Sequence, residues 1–441
     1  MKNSARIKVA WVCSLSNPII RGRITTKASF CKKIVYRIIG KAINNTDSAI
    51  WNTNAIKELE QFEDVELHVI CPVRGLKPDV QRVVINGVFY YFFREENSSI
   101  ISYFIHQLFN RYDSEYRKNR RYISSFINEI KPDIIHVIGA ENPHYALSVL
   151  DMPNEIPTML QLQALLTSLV EETEKKEERK SFYYKGLVEQ KIIRRSNYIG
   201  TSSALFSSYI LQHIKPNATI LSLPLAMVSE VSITDEPKQF DFVYFAVNIE
   251  KACEDALEAY IVAQRKRNNI TLDIVGGYSK EFKSRLDERI KECRIGHLVT
   301  FEGLLPTHDD VIEHIRKARV ALLPLKMDLV PNTVHEAMSN GIPVVTTITA
   351  GTPKLNRDRQ SVLLSEQGDY ESLSNNMLNV LEDNQLYDRL KQNAAITEKG
   401  RKSNKDVMLK WRDAYYACID NYKSGEEIPD YLLFKENGPC K

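Results

Sequence analysis

The sequence predicts an α/β protein of two doubly wound, Rossmann-like domains facing each other across a cleft. Three observations predict it. The chain has 441 residues, more than one ordinary core accommodates. Short, β-branched, apolar runs alternate with helical ones along almost its whole length, as in βαβ units whose sheets are covered on both faces. One aperiodic stretch, residues 224–239 (PLAMVSEVSITDEPKQ), breaks the alternation with two prolines and several acids.

Taken in order, strands are expected at 7–13, 65–71, 134–138, 158–162 and 198–201 before the break. After it they are expected at 242–246, 271–276, 299–302, 320–324 and 343–347. Helical spacing falls between them, for example at 254–264 and 281–293. The break divides the chain into domains at 1–225 and 226–405. A helical segment at 406–441 is expected to pack back toward the first domain. Open α/β sheets bind ligands beyond the carboxyl ends of their strands, so two such domains facing each other create a cleft for a ligand.

Composition narrows the function classes. Hydrophobic content of 43% and charged content of 26% are those of a globular protein in water. A net charge of +3 implies no acidic polymer partner, so nucleic acid is not expected. No apolar run approaches the roughly 20 residues that span a bilayer. The N-terminus runs directly into a strand, without the longer apolar region of a cleavable signal. Seven cysteines are scattered without CxxC pairs, which points to a reducing cytoplasmic compartment and away from zinc. GxGxxG and GxxxxGK[ST] are absent, which disfavours dinucleotide enzymes and P-loop NTPases.

Two basic segments are read first as amphipathic helices with a solvated face. In 29–43, Phe30, Ile34, Val35 and Ile38 share a face, and Lys32, Lys33, Arg37 and Lys41 occupy the rest. In 111–121 the charges are Arg117, Lys118, Arg120 and Arg121. Their alternative reading is peripheral contact with an anionic membrane at its inner face. The run EETEKKEERK at 171–180 reads as an exposed helix with i,i+4 pairs.

The chemistry concentrates in residues 323–345, LPLKMDLVPNTVHEAMSNGIPVV: a buried strand, a turn, a short helix and a second buried strand. Asn332 or Thr333 can cap the helix, Asn340-Gly341 ends it, and Pro331 stiffens its approach. The free N–H groups at Asn332, Thr333 and Val334 and the axial dipole favour a phosphate by about 0.3–1 kcal/mol. Glu336 lies in the first turn, where it can reach ribose hydroxyls, and Asp328 in the preceding loop can reach a sugar. Thr333-x-x-Glu336 also fits a capping box, which would give Glu336 a purely structural role.

This stretch resembles the signature of the retaining GT-B glycosyltransferases of family 4: E-x7-E, then EAM, a glycine and PVV. The match is Asp328-x7-Glu336, Ala337, Met338, Gly341 and Pro343-Val344-Val345. Phe301-Glu302-Gly303 resembles the family's turn approaching the nucleotide base. Ala318–Pro324 resembles the strand leading into the signature, and Ala350-Gly351-Thr352-Pro353 the loop after the next strand. The likeness covers about residues 240–400. The N-terminal half is similar more loosely, at Lys131–Val137, Gly139–His144 and Gln161-Leu162-Gln163.

The resemblance implies a GT-B fold and a nucleotide-diphosphate-sugar donor. It implies Asp328, Lys251 and Glu336 as catalytic residues, with Asn332, Thr333, Val334, Gly303 and Glu302 on the donor. Glu141, His144 and Gln163 would line the acceptor side. The acceptor would be a glycan or lipid-linked glycan in surface polysaccharide synthesis. Anomeric configuration would be retained without metal or other cofactor, and no DxD-like loop speaks for a metal. His136, inside an apolar strand, reads as a hydrogen-bonded core residue.

Three positions depart from the family pattern. The run usually reading G-R-L-x-x-x-K-G is here Phe245–Ala252, which keeps Lys251 but places Ala246 at the arginine. Lysine does not replace a bidentate guanidinium on phosphate. Lys326, Arg21 and Arg23 are alternative cations. Asp328 is one methylene shorter than the usual glutamate, and Lys354 stands where an acid is common. These departures keep open a GT-B scaffold or binding protein impaired in catalysis. A GT-B sugar-nucleotide epimerase or phosphorylase is a further alternative.

Overall fold

The computed structural model describes residues 6–15, 17–26, 50–96, 116–169, 176–226, 231–233, 236–326, 331–349 and 351–434. The chain forms two compact units. Among the described residues, one unit joins those up to 226 with those from 403 onward; the other is residues 231–402.

The first unit holds β1 (Ile7–Val12), β2 (Val65–Val73), β3 (Val80–Ile85), β4 (Val88–Arg94), β5 (Ile134–Ile138), β6 (Thr158–Gln161), β7 (Tyr198–Thr201) and β8 (Thr219–Ser222). They form one sheet in the order β3-β4-β2-β1-β5-β6-β7-β8. All neighbours are parallel except the β3–β4 pair. β3, β4 and β8 were not expected from the sequence. The hairpin turns at Asn86 (φ 50°) and Gly87 (φ 80°), residue types that tolerate positive φ at both central positions.

The Asn404–Ser424 helix belongs to this unit's core. Trp411 Nε1 donates to the Pro224 carbonyl at 2.8 Å. The Tyr415 hydroxyl lies 2.9 Å from Trp11 Nε1 and 2.8 Å from His136 Nδ1. The indole donates to the hydroxyl, and the His136 tautomer sets the direction of the bond between the hydroxyl and Nδ1. Burial pushes His136 down to about 3, so it is a neutral core histidine.

The second unit holds β9 (Phe240–Asn248), β10 (Leu272–Gly277), β11 (Val299–Gly303), β12 (Ala318–Leu323), β13 (Val344–Thr347) and β14 (Leu363–Ser365). The sheet is parallel in the order β11-β10-β9-β12-β13-β14. Strand order reverses between β9 and β12, and in the first unit between β1 and β5. The carboxyl ends at such a reversal are where α/β sheets receive ligands.

Segment 29–43 lies outside the described residues, as do 111–115 and 171–175. In the Arg117–Ile130 helix, Asn119, Ile123, Phe126, Ile127 and Ile130 face the core. Arg120 pairs with Asp151 at 2.5 Å and Lys118 with Asp79 at 3.7 Å, so part of the basic face has carboxylate partners. Among the described residues, no helix is long and apolar enough to cross a membrane.

Candidate active site

In the second unit, the reversal point is built from the segments after β9 and β12. β9 leads into a 3-10 turn, Ile249–Lys251, opened by Asn248, whose side chain accepts from Glu250 N at 3.1 Å. The turn packs tightly against β10. Gly276 has φ +140°, and a Cβ there would lie 1.9 Å from the Ala246 carbonyl oxygen, so only glycine fits. This fixes the backbone of Lys251 beside the β9 end. Asp328 falls outside the described residues.

The helix after β12 is Asn332–Ser339, with Pro331 at its cap position; among the described residues no side chain caps it. This corrects the expected cap at Asn332 or Thr333. A proline cap has no side-chain acceptor for the first amides. Asn332 instead opens the helix, and its buried Oδ1 has no hydrogen-bond partner. Val334 is fully buried, so its side chain meets no ligand. The capping box at Thr333 and Glu336 does not form. The Glu336 side chain is 20% exposed, its Oε1 3.8 Å from His308 Nε2. Burial pushes its carboxyl up to about 7. Gly341, at φ +68°, turns the chain out of the helix toward β13.

Glu302 and Gly303 end β11, Glu302 exposed and Gly303 at φ +73°. No sequence signal marks two exposed apolar residues nearby, Val247 (82% exposed) and Leu304 (40%). Both border Gly277: a Cβ there would lie 3.0 Å from Leu304 Cδ1 and 3.1 Å from the Val247 carbonyl. Lys326, one of the alternative cations, lies 2.9 Å from Asp255, whose other oxygen accepts from Tyr370 at 2.8 Å. Asp273, Glu302 and His314 bring three ligating atoms within 4.8 Å of one another. Asp273 is already engaged there by His314 Nε2 at 2.7 Å and by Thr300.

In the first unit, Glu141 follows β5 at that sheet's own reversal point. Gly139, at φ +94°, lets the loop fold over itself: a Cβ there would lie 2.6 Å from Glu141 Oε1. Glu141 Oε1 accepts from Asn142 Nδ2 at 2.9 Å. In the orientation that satisfies both neighbours, the Gln163 amide donates to Glu141 Oε1 at 3.1 Å and accepts from Trp51 Nε1 at 2.7 Å. Glu141 Oε2 is buried without a partner, and burial pushes the carboxyl up to about 7. His144 meets the rings of Tyr145 edge-on at 4.8 Å and Tyr116 at 6.2 Å. Burial lowers its pKa, which favours the neutral ring. Asn119 holds its backbone, donating to the His144 carbonyl at 2.9 Å. The structure thus joins Glu141 to Gln163 directly and adds Trp51 and Asn142, which sequence reasoning missed.

Two α/β units of this construction make a GT-B fold. Sucrose-phosphate synthase from Thermosynechococcus elongatus matches 93% of this chain over 98% of its own, at 14% identity and a TM-score of 0.66. HepE from Anabaena, solved in complex with UDP, matches 93% over its whole length (100%), at 12% identity and a TM-score of 0.62. A glycosyltransferase from Rickettsia africae ESF-5 matches 94% over 99% of its own length, at 11% identity and a TM-score of 0.57. At these identities the likeness establishes the fold.

Residues 230–397 match the family model of glycosyl transferases group 1. That match covers most of the second unit and supports a glycosyltransferase. Comparison with curated proteins finds no match.

Proposed function

We propose that the protein transfers a sugar from a nucleotide-diphosphate-sugar to a glycan or lipid-linked glycan acceptor, with retention of configuration, in surface polysaccharide synthesis. One observation carries the reading: an uncapped helix start, at the strand-order reversal of the second unit's sheet, with a largely buried acid, Glu336, one turn into the helix. Uncapped amides await an acceptor, and a diphosphate supplies several.

In this reading the helix amides and Lys251 hold the diphosphate. The bond from the anomeric carbon to the β-phosphate oxygen breaks, and negative charge grows on the leaving diphosphate. Amides and an ammonium held at that charge stabilise the transition state more than the ground state. An acceptor hydroxyl bonds to the anomeric carbon, and its proton passes to the departing diphosphate. Glu336 orients the ribose and Asp328 the donor sugar. Glu302 and Gly303 border the base. Glu141, His144 and Gln163 serve the acceptor. The chemistry calls on no metal or cofactor and is assigned to the cytoplasm, with peripheral contact at the membrane. UDP is the first nucleotide to test, because HepE was solved with it.

The test is donor binding and sugar transfer in Lys251→Ala and Glu336→Ala. Loss of both functions is expected; unchanged turnover in two folded variants contradicts the reading. A second reading, a GT-B binding protein without turnover, is favoured by Ala246 at the family's arginine and by the engagement of Lys326 with Asp255. Calorimetry separates the two: absence of heat with all common donors excludes the transferase, and binding without transfer favours the binding protein.

A further inference from the structure

Glu398 lies near the end of the Asn384–Lys399 helix with its side chain fully buried. Its Oε1 lies 2.7 Å from His335 Nδ1. Its Oε2 accepts from Ser339 Oγ at 3.2 Å and from Arg401 Nη1 at 2.8 Å. His335 and Ser339 are four residues apart, hence on one face of the Asn332–Ser339 helix. One carboxylate therefore grips that helix at two points. The two helices also approach closely just beyond it: a Cβ on Gly341 would lie 3.3 Å from Lys391 Cε.

A buried ion pair is a poor source of stability, since apolar residues of similar volume often hold as well or better. What a satisfied carboxylate adds is direction. It accepts only along fixed lines, so it selects one rotation and one height of the gripped helix. His335 immediately precedes Glu336, so that rotation also aims the Glu336 carboxyl.

We propose that Glu398 is a positioning residue which, through His335 and Ser339, fixes the Asn332–Ser339 helix so that its open amides and Glu336 are set for a nucleoside diphosphate. The proposal rests on the donor reading above. Glu398 touches no ligand.

The test uses the full chain with the double variant Glu398→Leu/His335→Leu, and Glu398→Gln as the second variant should the first not fold. Hydrogen exchange at residues 333–337 and titration with UDP, GDP and ADP are measured beside the thermal midpoint. The midpoint is expected to stay near that of the wild type. Exchange at 333–337 is expected to rise, and the affinity of the tightest diphosphate to fall, each by about tenfold, the size of one lost charged hydrogen bond. Unchanged exchange and unchanged affinity in folded variants overturn the proposal. If the wild type binds none of the three diphosphates, the donor reading fails instead. Exchange at 333–337 then decides alone whether Glu398 sets the helix.

Discussion

Glu141 and Glu336 invite comparison. Each follows a strand at the point where the strand order of its own sheet reverses, and burial lifts each carboxyl to about 7. Their surroundings differ. Glu141 is caged: Asn142 and Gln163 donate to one oxygen, Trp51 holds Gln163 in place, and the other oxygen is buried and unpartnered. Among the described residues Glu336 has one ionisable partner, His308 at 3.8 Å, and it keeps a fifth of its side chain exposed. The first acid is oriented in advance. The second sits beside uncapped amides, where a ligand would complete its environment. An acid locked in place suits recognition of one hydroxyl, and an acid beside an open helix start suits a ligand that brings its own donors.

The largest effect is expected at the open helix. Lys251→Ala should lower kcat/KM by about 100-fold, the scale of losing one preorganised group at developing charge, and Glu336→Ala by about tenfold through weaker donor binding. Steady-state kinetics with the identified donor measure it. A loss in Glu141→Ala exceeding both would reverse the comparison.

Acidity comes next. For both acids the folded pKa of about 7 stands above the ordinary 4.5. A raised carboxyl favours the folded state while it is protonated. Its contribution is therefore fully present below about 4.5 and is lost as pH rises through about 7. Glu141→Gln should remove on the order of 1–3 kcal/mol of the stability difference between pH 5 and pH 8, measured by denaturant unfolding. Glu336→Gln should remove less, because its side chain keeps contact with water. Equal slopes in wild type and Glu141→Gln would show that the cage does not hold its acid protonated.

A smaller change sharpens the cage itself. Trp51→Phe keeps the ring and removes the donor to Gln163, leaving a buried amide oxygen unmet. A loss of about 1–2 kcal/mol is expected by the same unfolding measurement. The smallest stability change belongs to Lys326→Ala. Its pair with Asp255 involves a side chain 54% exposed, so stability should change by less than about 1 kcal/mol.

The two regions also differ in how far they were legible in the sequence. β5 and β7 have the bounds their buried apolar runs suggested, 134–138 and 198–201, because both faces are covered and the runs are uninterrupted. β3 and β4 were missed because charge and polarity at Gln81 and Arg82 hide an edge hairpin, although Asn86-Gly87 carried its turn signal. β14 spans only three residues, too short for a period to show. The Asn332–Ser339 helix was legible from the glycine that ends it and from Pro331 before it. Its cap was misread, because Asn332 is a good capping type but lies one residue inside the helix. The Trp51–Gln163–Glu141 cage and the Glu398–His335 contact were not legible. Each joins residues far apart in the chain, and no local pattern encodes such a meeting.

The most direct measurement of the central claim is a calorimetric titration of UDP, GDP and ADP into the wild type and Glu336→Ala, with folding of both verified by circular dichroism. Saturable binding of one diphosphate by the wild type, weakened at least about tenfold in the variant, is the predicted result. No binding of any diphosphate, or identical affinity in the two proteins, would contradict the assignment of the open helix and its buried acid to the donor.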